Sequence, residues 1–437
     1  MKEANLSLLP HQVEAIEFAK ANRSGLLYLK PGTGKTLIGL ELARNERTAF
    51  VVPASLCANW IVENEKFDVV KDLFWWNPAK SKSKPRTSFV CSYEAFKKIS
   101  PTDLRGFTLV VCDESHKLKS STSKRTLHMD YILAEVKPRT YFLSGTPFSA
   151  SIEDAYSQYS MLDTVGSGSF TDAREFSSLS AFKNAFMFLE GHREVQTKAR
   201  RTVLIPQYSG FINQTRFFEL TNPYTFRKEL DLNLPELSNQ IIRVTADKVP
   251  PGIDMQLEEM AIALGKDVTN FQTARKLSAI AKAKVFAELL KDYHDSPIIG
   301  FSCYPDVLKI ALGILEKAKY RVVFMGAQTS NVDRGVIAKK FQDGKIDILL
   351  ASLLVCREGF TFTAADTIIF NDISPVASDN EQASKRIHRI GQDKPCRCIY
   401  LARSSIDARL TKLCTAKTKV TKVLDAGFSE RETDEWK

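Results

Sequence analysis

Short apolar runs rich in β-branched and aromatic residues recur along this chain in two series, and they constrain its fold more than any other feature. The first series is GLLYLK at 25–30, TAFVVP at 48–53, TSFVC at 87–91, TLVVCDE at 108–114 and TYFLSGT at 140–146. The second is PIIGFS at 297–302, RVVFMG at 321–326, DILLAS at 347–352, TIIFND at 367–372 and CIYLAR at 398–403. Runs apolar at every position suit strands buried on both faces of a parallel sheet, and the longer segments between them can be helical. The chain is therefore read as α/β, with two parallel sheets, each covered by helices on both faces.

Between the series, residues 151–240 lose the rhythm and are rich in Phe, Ser and Lys, with a basic run from Lys198 to Arg201. This stretch is expected to be a mostly helical insertion and linker, which places the first unit at 1–150 and the second at 241–437. Residues 274–293 (ARKLSAIAKAKVFAELLKDY) carry apolar residues at helical spacing and should form a long helix leading into the second sheet. The polar tail after 425 is expected to fray.

A chain of 437 residues suggests two or three domains. Hydrophobic residues at 44% and charged residues at 26% exclude a disordered chain. Lys and Arg outnumber Asp and Glu by 61 to 51, and the surplus of +10 favours a polyanionic partner without identifying one. The eight cysteines, at 57, 91, 112, 303, 356, 396, 398 and 414, form no pair of CxxC knuckles, so zinc is not expected. Cys396 and Cys398 would share a strand face, but without His or Cys companions they read as plain thiols in a reducing compartment. The N-terminal MKEANLSLLPHQ is not a signal peptide, and no run of about 18 apolar residues is present. A cytoplasmic protein with no membrane partner is the expectation.

The strongest local signal is Leu29-Lys30-Pro31-Gly32-Thr33-Gly34-Lys35-Thr36, directly after one apolar run and before a helical segment. A phosphate-binding loop needs glycines so that backbone amides can curl around phosphate, a lysine for the β and γ phosphates, and a hydroxyl for magnesium. Leu29 stands where the full pattern has glycine. A glycine turn with a chance lysine is the bland alternative, and the flanking strand and helix argue against it.

Next, Val110-Val111-Cys112-Asp113-Glu114-Ser115-His116 ends an apolar strand in two carboxylates. Asp113 could hold magnesium together with Thr36, and Glu114 could activate the attacking water as general base. Alone, such a pair is most often a solvated turn, so its weight comes from following the phosphate loop. Far downstream, Arg386 and Arg389 are three apart, which on a helix puts both on one face, suited to stabilising charge on a transferred phosphate. A solvated basic helix or a contact to nucleic-acid phosphate is the alternative.

D-E-S-H is a DExH box, and with these motifs the chain resembles superfamily 2 helicases of the Swi/Snf-like branch over nearly all of residues 8–403. Leu9-Pro10-His11-Gln12 resembles the leading Q motif, in which Gln12 would contact adenine. Val52 to Leu56 with Trp60 resembles motif Ia and Ser92-Tyr93-Glu94 motif Ib, implying nucleic-acid contacts by Ser55, Trp60, Ser92 and Tyr93. Ser144-Gly145-Thr146-Pro147 resembles motif III, so Ser144 and Thr146 would couple hydrolysis to movement, as would His116, Gln382 and His388.

In the second half, Phe301-Ser302 resembles motif IV, and Ser352 to Gly359 with Thr363 to Asp366 resembles motif V. Ser302, Ser352 and Arg357 would then touch nucleic acid and Gly359 the nucleotide. Gln382 to Gln392 contains RxHRxGQ, the most specific match, which resembles motif VI and implies arginine-finger roles for Arg386 and Arg389. Phe226-Arg227-Lys228 with Leu234-Pro235 only loosely resembles the segment that braces the family's lobes. The resemblance implies two RecA-like lobes with ATP and Mg2+ in the cleft between them, driving movement along DNA.

With no reader module in evidence, the resemblance points to compact fork-remodelling, annealing or phage members. The expected partner is duplex, forked or junction DNA, together with replication or recombination proteins, and a monomer is expected. Rival readings are an RNA helicase, a motor that strips protein from nucleic acid, and a binding module that has lost hydrolysis. Intact Lys35, Asp113, Glu114, Arg386 and Arg389 argue against the last.

Overall fold

The computed structural model describes residues 8–30, 32–81, 83–148, 151–166, 174–196, 202–228, 234–244, 268–353, 360–389, 391–403 and 407. The chain divides into two compact units, the first running to residue 230 and the second spanning 231–417. Pro31, Arg357, Gly359 and the basic run Lys198 to Arg201 lie outside the described residues.

In chain order the first unit contains α1 (Pro10–Ala21), β1 (Ser24–Tyr28), α2 (Lys35–Leu42), β2 (Thr48–Val52), α3 (Cys57–Phe67), β3 (Phe74–Trp75), β4 (Phe89–Ser92), α4 (Tyr93–Phe96), β5 (Leu109–Asp113), α5 (Lys124–Val136) and β6 (Arg139–Ser144). There follow α6 (Glu153–Val165), α7 (Leu179–Phe186), β7 (Phe188–Gln196), β8 (Thr202–Ser209), α8 (Gln214–Thr221) and β9 (Thr225–Arg227). The sheet order is β3-β4-β2-β5-β6-β1-β9, and every pairing in it is parallel.

Alternate residues of these strands feed two separate cores, as the period of a strand requires. Leu27, Phe50, Val90, Val111 and Leu143 face α1, α2 and α3, whereas Leu26, Val51, Phe89, Val110 and Phe142 face α5 to α8. Each such aliphatic or aromatic side chain contributes roughly 1.5–3 kcal/mol when fully buried, which is why the strands read as unbroken apolar runs.

The second unit contains β10 (Leu237–Arg243), α9 (Val268–Asp292), β11 (Ile298–Ser302), α10 (Pro305–Lys317), β12 (Val322–Met325), α11 (Asn331–Gln342), β13 (Ile348–Ser352), β14 (Thr367–Phe370), α12 (Ala377–Ser384) and β15 (Cys396–Ala402). Its sheet, β10-β15-β14-β11-β13-β12, is parallel throughout. Ile298, Leu350 and Ile369 pack on α9 and α10, while Ile299, Leu349 and Ile368 pack with Phe341 of α11 on the other side.

All ten apolar runs are strands, and the long helix is α9. The segment 151–240 differs from a mostly helical insertion and linker. Among the described residues, the antiparallel hairpin β7–β8 lies between its helices α7 and α8, its β9 completes the first sheet beside β1, and its β10 opens the second. The first compact unit accordingly runs past residue 150 to take in α6, α7, α8 and β9. These strands escape a search for apolar runs because β9 has three residues, β10 (LSNQIIR) is a polar edge strand, and the hairpin is exposed along β8.

Candidate active site

The loop after β1 turns through two residues with positive φ, Gly32 at 87° and Gly34 at 77°. Gly34 also starts α2; at its φ any side chain is strained, and a Cβ there would sit 2.3 Å from Gln12 Nε2 and push that amide off the loop. Leu29, where the consensus has glycine, needs no special backbone: it is buried and its N–H donates to Ser144 O at 3.1 Å, continuing the pairing of β1 with β6.

Lys35 Nζ donates to Leu29 O at 2.9 Å and Lys30 O at 3.2 Å, and Thr33 Oγ1 donates to Lys30 O at 2.9 Å. From α1, His11 Nε2 donates to Thr33 O at 2.8 Å and Gln12 Nε2 to the same oxygen at 3.3 Å. Gln12 Oε1 accepts from Leu9 N at 2.9 Å. Both side chains thus brace the loop. His11 is a contributor that motif matching on Gln12 alone passes over, although it is the adjacent residue. Thr36 stands at the second position of α2, half-buried.

Asp113 ends β5 and is buried. Its Oδ2 accepts from Trp60 Nε1 at 3.1 Å, its Oδ1 from Glu114 N at 2.9 Å, and its backbone oxygen from Tyr93 Oη at 2.8 Å. Burial, followed by the neighbouring Glu114 charge, pushes its carboxyl up to about 6, against the opposing pull of the Lys35 ammonium, Trp60 and the Glu114 amide. A buried acid in this condition gains from a cation. The oxygen donors Asp113 and Thr36 are hard ligands of the kind magnesium takes, and the amide-rich loop with Lys35 suits phosphates, so the residues present fit Mg-ATP.

Glu114 takes the left-handed conformation at φ 51°, which costs a residue with a side chain roughly 1–2 kcal/mol. Its Oε2 lies 3.2 Å from His116 Nδ1. Within the first unit, then, His116 adjoins the candidate base.

Trp60 and Tyr93 correct the sequence reading. Both are buried and turned onto Asp113, so neither presents a surface to nucleic acid. The apolar ring of Trp60 packs against Phe50, with centroids 5.0 Å apart, and its one polar atom finds the carboxylate. Ser92 caps α4, accepting from Ala95 N at 3.1 Å, and like Ser55 is half-buried.

In the second unit Ser302 and Ser352 end β11 and β13 and are likewise buried, which removes them as direct contacts to nucleic acid. Ser302 Oγ is held by Asp372, whose other oxygen accepts from Cys303 N at 2.9 Å. The two arginines also depart from expectation, because α12 stops at Ser384 and they lie in the turn beyond it. The turn tightens into i to i−3 bonds, Arg386 N to Ala383 O at 3.1 Å and Gln392 N to Arg389 O at 3.0 Å. Their guanidiniums still converge: Nη1 of Arg386 and of Arg389 donate to Phe360 O at 3.2 and 3.3 Å, and Arg389 reaches Thr361 Oγ1 at 2.9 Å.

His388 Nε2 donates to Pro235 O at 2.7 Å, and Gln382 is buried on α12. In the first unit, Ser144 Oγ accepts from Thr146 N at 3.2 Å, shaping the Ser-Gly-Thr-Pro turn. Sequence reasoning misses Gln158 of α6, whose amide bonds both Ser115 and Pro147, since a lone glutamine in a helix carries no motif. The described cysteines carry free thiols, and no cluster of three or more metal-ligating side chains occurs among the described residues.

The sequence matches the helicase conserved C-terminal domain over residues 281–391 and the SNF2-related domain over 11–250. It is 25% identical to the human DNA annealing helicase and endonuclease ZRANB3 over 95% of this chain and 40% of that one. A Caenorhabditis elegans homolog of the SWI/SNF-related matrix-associated actin-dependent regulator of chromatin subfamily A-like protein 1 is 23% identical over 88% of this chain and 57% of that one. The chain thus spans about two-fifths to three-fifths of the length of these relatives. The Sulfolobus solfataricus SWI2/SNF2 ATPase core in complex with dsDNA aligns at TM-score 0.42 and 18% identity, covering 100% of this chain and 97% of that one. With the SNF2-related domain matching more than half of its residues and a helicase conserved C-terminal domain over 281–391, the chain belongs to the SNF2-related family.

Proposed function

We propose that this protein is an ATP-driven motor that translocates on duplex DNA and acts on forked or branched DNA in replication, recombination or repair. The observation that carries the reading is the convergence on one sheet of a phosphate loop with Lys35, the buried Asp113 and the adjacent Glu114. The resemblance over nearly the whole chain to proteins whose names include DNA annealing helicase supports branched DNA as substrate.

Bound ATP supplies the phosphoanhydride; Thr36 and Asp113 would hold a magnesium ion, which would offset charge on the phosphates. Lys35 exchanges its two carbonyl partners for phosphate oxygens, which are stronger acceptors. Glu114 orients the attacking water and accepts its proton at a carboxylate oxygen. The paired guanidiniums of Arg386 and Arg389, both on the Phe360 carbonyl, are of the kind that neutralises charge on a transferred phosphoryl group.

Steady-state ATPase assays with linear duplex, single-stranded DNA, four-way junctions and structured RNA test this. Stimulation by duplex or junction DNA, with Lys35→Ala and Glu114→Gln each lowering kcat by about 100-fold or more, is expected. Stimulation by RNA alone, or activity surviving both substitutions, contradicts it.

A further inference from the structure

Helix α6 is fastened to the first unit along its length. Ser157 Oγ donates to Leu118 O and Lys119 O at 2.8 Å each. Tyr159 Oη and Thr225 Oγ1 share a bond of 2.8 Å, and Asp163 Oδ1 accepts one of 2.8 Å from Tyr224 Oη. Buried polar side chains with their bonds made hold an element in one place.

Gln158 stands among these anchors with no exposed surface. Its Oε1 accepts from Ser115 Oγ at 2.7 Å, and its Nε2 donates to Pro147 O at 2.8 Å and Asp154 O at 3.1 Å. The partners fix the orientation of the amide: two carbonyls can only accept, so they face the NH2 group, and the hydroxyl hydrogen goes to the amide oxygen.

Two of the three partners belong to segments with chemistry attached. Ser115 follows Glu114, the candidate base, and Pro147 closes the turn that begins at Ser144. A displacement of either segment must stretch a water-excluded hydrogen bond of ordinary length or drag the other segment with it.

We propose that Gln158 is a positioning residue that ties the Ser144–Pro147 turn to the Glu114 loop, so that nucleic-acid engagement reaches the hydrolytic base through this side chain. The role rests on the ATPase reading above. A glutamine buried only to complete packing would instead lower stability and depress every activity alike.

The test measures kcat and KM for ATP, with and without saturating duplex DNA, in the full chain carrying Gln158→Leu, Ser115→Ala or both, beside thermal unfolding. Basal kcat and KM should stay within about twofold while DNA-stimulated kcat falls about tenfold, and the double variant should be no worse than the worse single one. Basal and stimulated rates falling in proportion, or penalties that add in the double variant, overturn the proposal. Should Gln158→Leu fail to fold, Ser115→Ala decides alone, an unchanged ratio of stimulated to basal rate overturning it. Wild-type protein unstimulated by any nucleic acid removes the ATPase reading and this role with it, a failure visible before any variant is made.

Discussion

Asp113 illustrates how a buried ionisable residue opposes its own fold. Its carboxyl is raised to about 6 by burial, while in the unfolded chain it titrates near 3.8. The folded state therefore holds this proton more tightly, so ionised Asp113 opposes folding above about pH 6, and the penalty disappears as the pH falls towards 3.8. Without magnesium and nucleotide, Asp113→Asn should raise stability at pH 7.5 by roughly 1–3 kcal/mol, with the gain shrinking below pH 6. Equal melting temperatures at pH 7.5 would contradict the burial argument. Trp60→Phe keeps the ring in the core and removes its donor to Asp113. Since the indole is not on the surface, the salt dependence of DNA binding should match wild type; a shallower slope would return Trp60 to the DNA. Motif spacing singles out Asp113, Glu114 and Lys35 as candidates, because phosphoryl chemistry asks for those residue types in that order. It failed at Trp60, Tyr93, Ser302 and Ser352, because a motif records that a residue is needed and not which way its side chain points.

At the scale of elements, the strands legible in the sequence are those buried on both faces, where every residue must be apolar. The hairpin β7–β8 obeys no such rule. Phe188, Leu189, Val203, Leu204 and Ile205 on it are all more than two-fifths exposed. Exposed apolar ribbons with open edges invite association and lend little to the core. Leu204→Ser with Ile205→Ser should leave the melting temperature within about 1 °C, since surface changes usually cost under about 0.5 kcal/mol, and should reduce self-association in sedimentation. A fall of several degrees would show that the hairpin packs on something. The helical expectation for Arg386 and Arg389 failed by two residues and more, a common margin at helix ends, where i to i−3 bonds replace i to i−4. Their convergence on Phe360 O survived, because a turn of that kind also brings residues three apart together.

At the scale of the whole molecule, two units each own a parallel sheet with cores on both faces, 1–230 and 231–417. Separate cores of this size fold as units, so a fragment beginning at Asp231 should show a cooperative thermal transition of its own. The two-sheet organisation was legible because the apolar rhythm stops and restarts; the division near 230 was not, because β9 contributes only three residues to the first sheet. In the proposed function, hydrolysis at the Lys35, Asp113 and Glu114 site drives movement along duplex DNA. Displacement of a third strand from a DNA triplex tests it most directly. Wild-type protein should displace the strand in an ATP-dependent way and Glu114→Gln should not, whereas DNA-stimulated hydrolysis with no displacement would rule such movement out.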